Sequence, residues 1–186
     1  MKKKFKPSDI FFLVFIALLM IPQTRKPIQL AVNKAKIWVW SPSEIAAEDQ
    51  KQLSPFDYPV LTLDGQSKTI EVGKGKVTFI GYWATWCAPC LAELPTIEAL
   101  YADYGDQVNF LLLTNEQPKT VKAFLQKNPY DLPIYTSQIT PPDLLLNSSI
   151  PTNYLIGQNG HILSKETGAA DWNSERVRDM LEDVLP

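Results

Sequence analysis

Apolar residues along this chain fall into distinct kinds of run. Residues 10–21, Ile-Phe-Phe-Leu-Val-Phe-Ile-Ala-Leu-Leu-Met-Ile, are apolar without a break. Residues 60–63 and 69–72 are short β-favouring stretches on either side of Asp64-Gly65, which predicts a hairpin turning at that pair. Residues 76–83 and 108–113 have the length and composition of buried strands. Between them Leu91, Leu94, Ile97, Leu100, Tyr101 and Tyr104 recur every three or four positions, the spacing of one helix face. Pro95 is expected to kink this helix near its start, and Gly105 to stop it. A second helix is predicted over 118–127, then a short strand over 132–135 and a short helix near 142–146. Residues 153–156 and 162–165 predict another hairpin about Gln158-Asn159-Gly160, and 174–184 a closing helix capped by Asn173 or Ser174. Strand, helix, strand, helix, hairpin, helix is an α/β layered order.

The stretch before the first hairpin differs in kind. Residues 22–56 are mixed in polarity and punctuated by Pro22, Pro27, Pro42 and Pro55, which predicts a tether with a short helix or strand around Ile37-Trp38-Val39-Trp40. Charge divides the chain in the same place. Residues 1–40 hold eight of the 18 basic side chains (Lys2, Lys3, Lys4, Lys6, Arg25, Lys26, Lys34 and Lys36) and one of the 20 acidic ones, Asp9. The remainder carries a net charge of −9, which argues against nucleic acid as a partner.

Four lysines ahead of 12 apolar residues outline a secretory signal. A cleaved signal ends in small residues, whereas Ile21-Pro22-Gln23-Thr24-Arg25-Lys26 has no small pair. An uncleaved anchor inserted through residues 10–21, with its N-terminus inside, fits better. The run is shorter than the ~20 residues of a comfortable span, so Phe5, Ile28 and Leu30 with snorkelling lysines would have to extend it. At 186 residues and 45% hydrophobic content the chain can bury one good core. The organisation expected is an anchor or signal over 1–30, a linker over 31–56 and one domain over 57–186. That domain would lie on the extracytoplasmic side, where disulfides persist.

The only two cysteines stand in Cys87-Ala88-Pro89-Cys90, where a buried-strand run gives way to the helical pattern. A cysteine at a helix N-terminus faces unpaired N–H groups and the positive end of the dipole, which favours its thiolate. Cys87 would hold that position, with Pro89 in the first turn, where its missing N–H costs nothing. Cys90, one turn on and more buried, would attack a mixed disulfide formed at Cys87, or the sequence would run in reverse from the oxidised form. Two cysteines and one histidine, His161, fall short of a four-ligand zinc site, so no metal is expected. His161 itself is expected to be exposed and inert beside a hairpin turn. A purely structural disulfide across so short a loop would restrain the unfolded chain little.

The run Trp83-Ala84-Thr85-Trp86-Cys87-Ala88-Pro89-Cys90-Leu91-Ala92-Glu93-Leu94-Pro95 resembles the signature of membrane-anchored thioredoxin-like proteins of the TlpA/ResA type. Ile150-Pro151-Thr152-Asn153-Tyr154-Leu155-Ile156, followed by Asn159-Gly160, resembles that family's cis-proline loop and closing hairpin. The resemblance covers residues 57–185. It implies an α/β thioredoxin-like fold, a central mixed β-sheet flanked by helices, with an extra N-terminal β-hairpin. It also implies Cys87 as the attacking thiol, Cys90 as the resolving thiol and Pro151 in a cis peptide, against a base rate of only ~5% for X–Pro bonds. Ile150, Pro151 and Thr152 would form the platform on which a partner's extended chain pairs. Trp86 would line the rim, Ala88 and Pro89 would face the partner, and Trp83 would pack in the core.

In this family a glutamate matching Glu93 is linked to proton handling by the buried thiol. Glu93 lies three residues after Cys90 on the same helix face, where a carboxylate could take the proton that Cys90 must lose. The chain departs from thioredoxins at Gly81, which stands where they carry a buried aspartate, and this leaves Glu93 as the nearest proton acceptor. Gly157 replaces the aspartate common in the family's hairpin. The activity implied is that of a membrane-tethered protein thiol–disulfide oxidoreductase without a cofactor. It would reduce disulfides of exported proteins, cytochrome c maturation being one setting, and draw electrons from a membrane donor or thiol–disulfide partner.

A thiol peroxidase of the peroxiredoxin or glutathione-peroxidase type shares the fold. However, no arginine stands between Arg25 and Arg176, and Ala84 occupies the position where peroxiredoxins place threonine. A non-catalytic binding module would make the thiols incidental, against the intact Cys-Ala-Pro-Cys and the proline loop.

Overall fold

The computed structural model describes residues 7–20, 22–37 and 39–185. Lys2, Lys3, Lys4, Phe5, Lys6, Ile21, Trp38 and Pro186, which entered the sequence reading, lie outside these residues. The runs read as strands pair into one sheet. They are β1 (Phe56–Thr62), β2 (Ser67–Val72), β3 (Val77–Tyr82), β4 (Val108–Leu113), β5 (Ile134–Ser137), β6 (Thr152–Ile156) and β7 (Ile162–Thr167), in the order β2-β1-β5-β4-β3-β6-β7. β3, β4 and β5 run parallel, and every other pairing is antiparallel. The helices are α1 (Pro7–Met20), α2 (Pro22–Ile37), α3 (Ala88–Tyr104), α4 (Pro118–Leu125) and α5 (Glu175–Glu182).

Each parallel step needs a crossover helix, and right-handed crossovers in the same direction put α3 and α4 on one face. That face is a single cluster: Leu94, Ile97 and Leu100 of α3, Val121 of α4, and Val177 and Leu181 of α5 close over Phe79, Leu112 and Leu155. Side chains alternate across the sheet, so the neighbouring positions Ile80, Leu111, Leu113, Tyr154 and Ile156 face the other way. Irregular chain covers that second face, through Leu53 from residues 39–55 and Leu145 from a 3-10 turn, Asp143–Leu145.

The β1–β2 hairpin joins the sheet through β1–β5 and turns at Asp64-Gly65, where Gly65 has φ +80°, a conformation costly for any residue with a Cβ. α3 runs through Pro95 and ends at Gly105, whose N–H bonds the Tyr101 carbonyl at 2.8 Å in ordinary right-handed backbone (φ −59°). The helix expected near 142–146 is only the three-residue 3-10 turn.

Residues 22–56 depart most from the tether expected of them. Residues 22–37 form α2, whose Ile37 is buried with Ala92 of α3 and Ala169, with Leu30 packed alongside. The Asp171 N–H bonds the Trp40 carbonyl at 2.9 Å, that of Ile45 the Leu163 carbonyl at 2.7 Å, and that of Leu53 the Gly160 carbonyl at 2.9 Å. The physical reason is that Leu30, Ile37, Ile45 and Leu53 are spaced widely enough to escape notice as a pattern, yet each finds apolar cover. His161, expected to be exposed, is half-buried and bridged to Gln52 by the same strip.

Among the described residues no helix is long and apolar enough to cross a membrane. α1 has 14 residues, about 21 Å at the usual helical rise. It exposes Ile10, Phe11, Phe12, Leu13, Val14 and Ile16.

Candidate active site

α3 begins one residue after Cys87, and Cys87 caps it. Its backbone is extended (φ −85°, ψ 99°), and its Sγ accepts the N–H of Cys90 at 3.2 Å. Ala88 and Pro89 follow in the first turn, both half-buried. There the proline's missing N–H removes no helix bond, and the sulfur meets the positive end of the helix dipole. The cysteines are joined as a disulfide, Cα atoms 5.3 Å apart. Cys87 is 4% exposed and Cys90 fully buried, so a partner can reach the pair only at Cys87.

The loop entering the helix is held from the next strand. Beyond the end of β4, the Glu116 carboxylate accepts the Thr85 N–H at 2.6 Å and the Thr85 hydroxyl at 2.8 Å. Trp83 is buried against Phe124 of α4, ring centroids 5.9 Å apart, while Trp86 projects 65% exposed beside Cys87.

One turn beyond Cys90, Glu93 is 1% exposed. Its Oε1 accepts from Asn153 Nδ2 at 2.8 Å, and its Oε2 from the Ala170 N–H at 3.3 Å. Burial disfavours the carboxylate and pushes its pKa up to about 8, against the lowering pull of the hydrogen bonds from Asn153 and Ala170 and the charge of Lys36. Burial therefore favours the protonated form of Glu93 at neutral pH.

The departure at Gly81 has a geometric counterpart. Gly81 of β3 pairs with Asn153 of β6, and a Cβ there would lie 2.6 Å from Asn153 Oδ1. The space of the missing side chain is occupied by the amide that holds Glu93.

The Ile150–Pro151 peptide is cis, and the Pro151 carbonyl accepts the Gly168 N–H at 2.9 Å. Thr152 is 1% exposed, its hydroxyl bonded to the Ser149 carbonyl at 2.9 Å, and its backbone is flanked by Tyr82 and Thr167. Its side chain is turned inward, away from any partner, which leaves Ile150 as the accessible part of this loop. Trp86 and Ile150 both border a cavity of about 430 Å³ on the second sheet face. Among the described residues no cluster of three His, Cys, Asp or Glu side chains converges as metal ligands would.

Sequence reasoning missed Asn153, Ala170 and Glu116 as parts of this site. Asn153 left a signal, an amide inside an otherwise apolar strand run. Ala170 contributes only a backbone N–H, and Glu116 acts on a residue 31 positions away, so neither left one.

Known proteins resemble the chain as follows. A family model described as Redoxin matches residues 48–184. Thiol-disulfide oxidoreductase ResA of Geobacillus thermodenitrificans (strain NG80-2) is 31% identical over 136 residues, 70% of this chain and 75% of that protein. Sporulation thiol-disulfide oxidoreductase A of Bacillus subtilis (strain 168) is 25% identical over 168 residues, 86% of this chain and 99% of that one. A crystal structure assigned as a thiol-disulfide oxidoreductase of Bacteroides vulgatus superposes with a TM-score of 0.56 at 31% identity, covering 70% of this chain and 93% of its own.

Proposed function

The chain belongs to the Redoxin family and is a thiol–disulfide oxidoreductase, and we propose that it works as a membrane-tethered reductant of disulfides in exported proteins. The observation that carries this reading is the Cys87–Cys90 disulfide at the start of α3, with Glu93 buried one turn further on.

In the reduced protein the Cys87 thiolate attacks one sulfur of a partner disulfide. A bond forms from Cys87 to that sulfur, and the partner's other sulfur leaves as a thiolate. Cys90 then gives its proton to the Glu93 carboxylate and attacks Cys87 Sγ, releasing the second partner thiolate. Two electrons pass to the partner, and the Cys87–Cys90 disulfide remains. Re-reduction runs these steps backwards: an incoming dithiol attacks Cys87, Cys90 leaves, and protonated Glu93 supplies its proton. Trp86, Ala88, Pro89 and Ile150 bear on the partner around Cys87, with Pro151 and Thr152 holding Ile150 in place from beneath.

The tether is α1, whose exposed apolar side chains need a cover that the described residues do not give them. The catalytic unit is residues 57–186, with α2 and residues 39–55 laid against it. The membrane side would supply electrons through a donor or a thiol–disulfide partner.

Two measurements test this reading. Cys90→Ser in the full chain should accumulate mixed disulfides through Cys87 with exported proteins; none forming would overturn it. A reduction potential near or below about −230 mV is expected of a reductant, and one between about −120 and −180 mV would reassign the protein to oxidation or isomerisation.

A further inference from the structure

The second sheet face carries a feature that thiol exchange alone does not require. Beside the disulfide, beneath residues 138–151, lies the cavity of about 430 Å³, larger than an aliphatic side chain fills. Its rim is apolar: Trp86, Ile139 and Leu146 are 65, 38 and 48% exposed, three large hydrophobic side chains gathered at one opening. Its depth is polar. The Tyr82 hydroxyl is buried there and, among the described residues, makes no hydrogen bond of ordinary length. The Tyr58 hydroxyl lies beside it and accepts from Ser137 Oγ at 3.2 Å. Burial pushes the Tyr82 phenol above its ordinary range, so it stays protonated and able to donate. A buried hydroxyl without a partner is costly, and a ligand atom reaching it would relieve that cost. Among the described residues Glu116 is the only charged one lining the cavity, and both its oxygens are already engaged by Thr85, so none of them attracts an acidic group.

We propose that this cavity is a specificity pocket for an aromatic side chain with a polar tip, tyrosine above all, carried by the polypeptide whose disulfide Cys87 attacks. The inference rests on the oxidoreductase reading, because Trp86, next to Cys87 in the chain, borders the cavity. An apolar ring between Trp86 and Leu146, with its hydroxyl reaching Tyr82, matches the apolar rim and polar floor in that order. The occupant thus adds selectivity to an exchange that would otherwise accept any disulfide.

The test uses the reduced full chain in detergent and disulfide-closed peptides in an alanine background, with one tyrosine walked through the positions flanking the attacked cysteine. At one position, tyrosine should raise kcat/KM by about tenfold or more over alanine, with phenylalanine in between. Tyr82→Phe should erase the advantage of tyrosine over phenylalanine while keeping that of either over alanine. Leu146→Ser, at an exposed position where folding is not at stake, should lower the preference of either aromatic over alanine. Equal reduction of all peptides, or preferences unmoved by both variants, would overturn the pocket while leaving the oxidoreductase reading intact. Reduction of no peptide above a Cys87→Ser control would instead sink that reading and the pocket with it.

Discussion

On one face of the sheet, α3, α4 and α5 close over Phe79, Leu155 and Trp172, and Glu93 is sealed there at 1% exposure. On the other, residues 39–55 and 138–151 cover Tyr58, Ile80 and Tyr154 without a helix and leave the cavity open beside Trp86. The disulfide belongs to the first face, and Trp86, next to Cys87 in the chain, borders the cavity on the second. Topology supplies one half of the contrast, since parallel crossovers place helices on one side, while the connection from β5 to β6 packs Leu145 on the other. A dry, helix-packed face can hold a carboxyl near neutrality. A loop-covered face can leave room for part of a partner. The difference teaches that proton handling and recognition can be assigned to opposite sides of one thiol pair.

The sharpest way to break this contrast is to open the sealed face. Trp172, fully buried and edge-on to Phe79 at 4.9 Å, should cost about 3–5 kcal/mol as Trp172→Ala in a denaturant titration. Glu93 comes next and depends on pH. Below its unfolded pKa of 4.5 both states hold the proton, while between 4.5 and about 8 only the unfolded chain releases it. Stability is therefore fully present in acid and is lost as pH rises through that window, by about 3 kcal/mol at pH 7. Glu93→Gln should remove this slope; a wild-type stability flat between pH 5 and 8 would contradict the burial account.

Gly81→Ala should cost about 1–3 kcal/mol and disturb Glu93, because its Cβ would meet Asn153 Oδ1 at 2.6 Å and Leu112 Cδ1 at 3.1 Å. Glu116→Gln, which weakens two hydrogen bonds to Thr85, should cost about 1 kcal/mol and slow exchange by loosening the loop before Cys87. At the small end, Leu146→Ser should change stability by less than about 0.5 kcal/mol. A large loss there would mean that the second face is packed more like the first.

What could be read beforehand divides along the same line. Leu91, Leu94, Ile97 and Leu100 recur with a helix period, and residues 77–82 and 108–113 are continuous apolar runs, so the helix-packed face and its thiols were legible as local pattern. Cys87 and Cys90 are three residues apart, and Glu93 three more, so their alignment on one helix needs no tertiary knowledge. The cover of the second face was not legible. Leu53 is an isolated apolar residue and Leu145 is one of three adjacent leucines, too short a run to set a period, and their burial depends on a cluster with Tyr58 and Tyr154 far away in sequence. The cavity is lined from several such distant segments. α2 escaped for a related reason: its prolines spoke for a tether, and only its docking through Ile37 onto Ala92 outweighs them.

The most direct test of the account is the pH dependence with which a small dithiol reduces the oxidised full chain, corrected for the dithiol's own thiolate fraction, in wild type and in Glu93→Gln. Under the proposed mechanism Cys90 is the leaving group in this step, and protonated Glu93 its proton source. The corrected rate constant of the wild type should fall as pH rises through about 8, while that of the variant should be lower on the acid side and free of that ionisation. Superimposable profiles would remove Glu93 from the proton path and contradict the division of labour between the two faces.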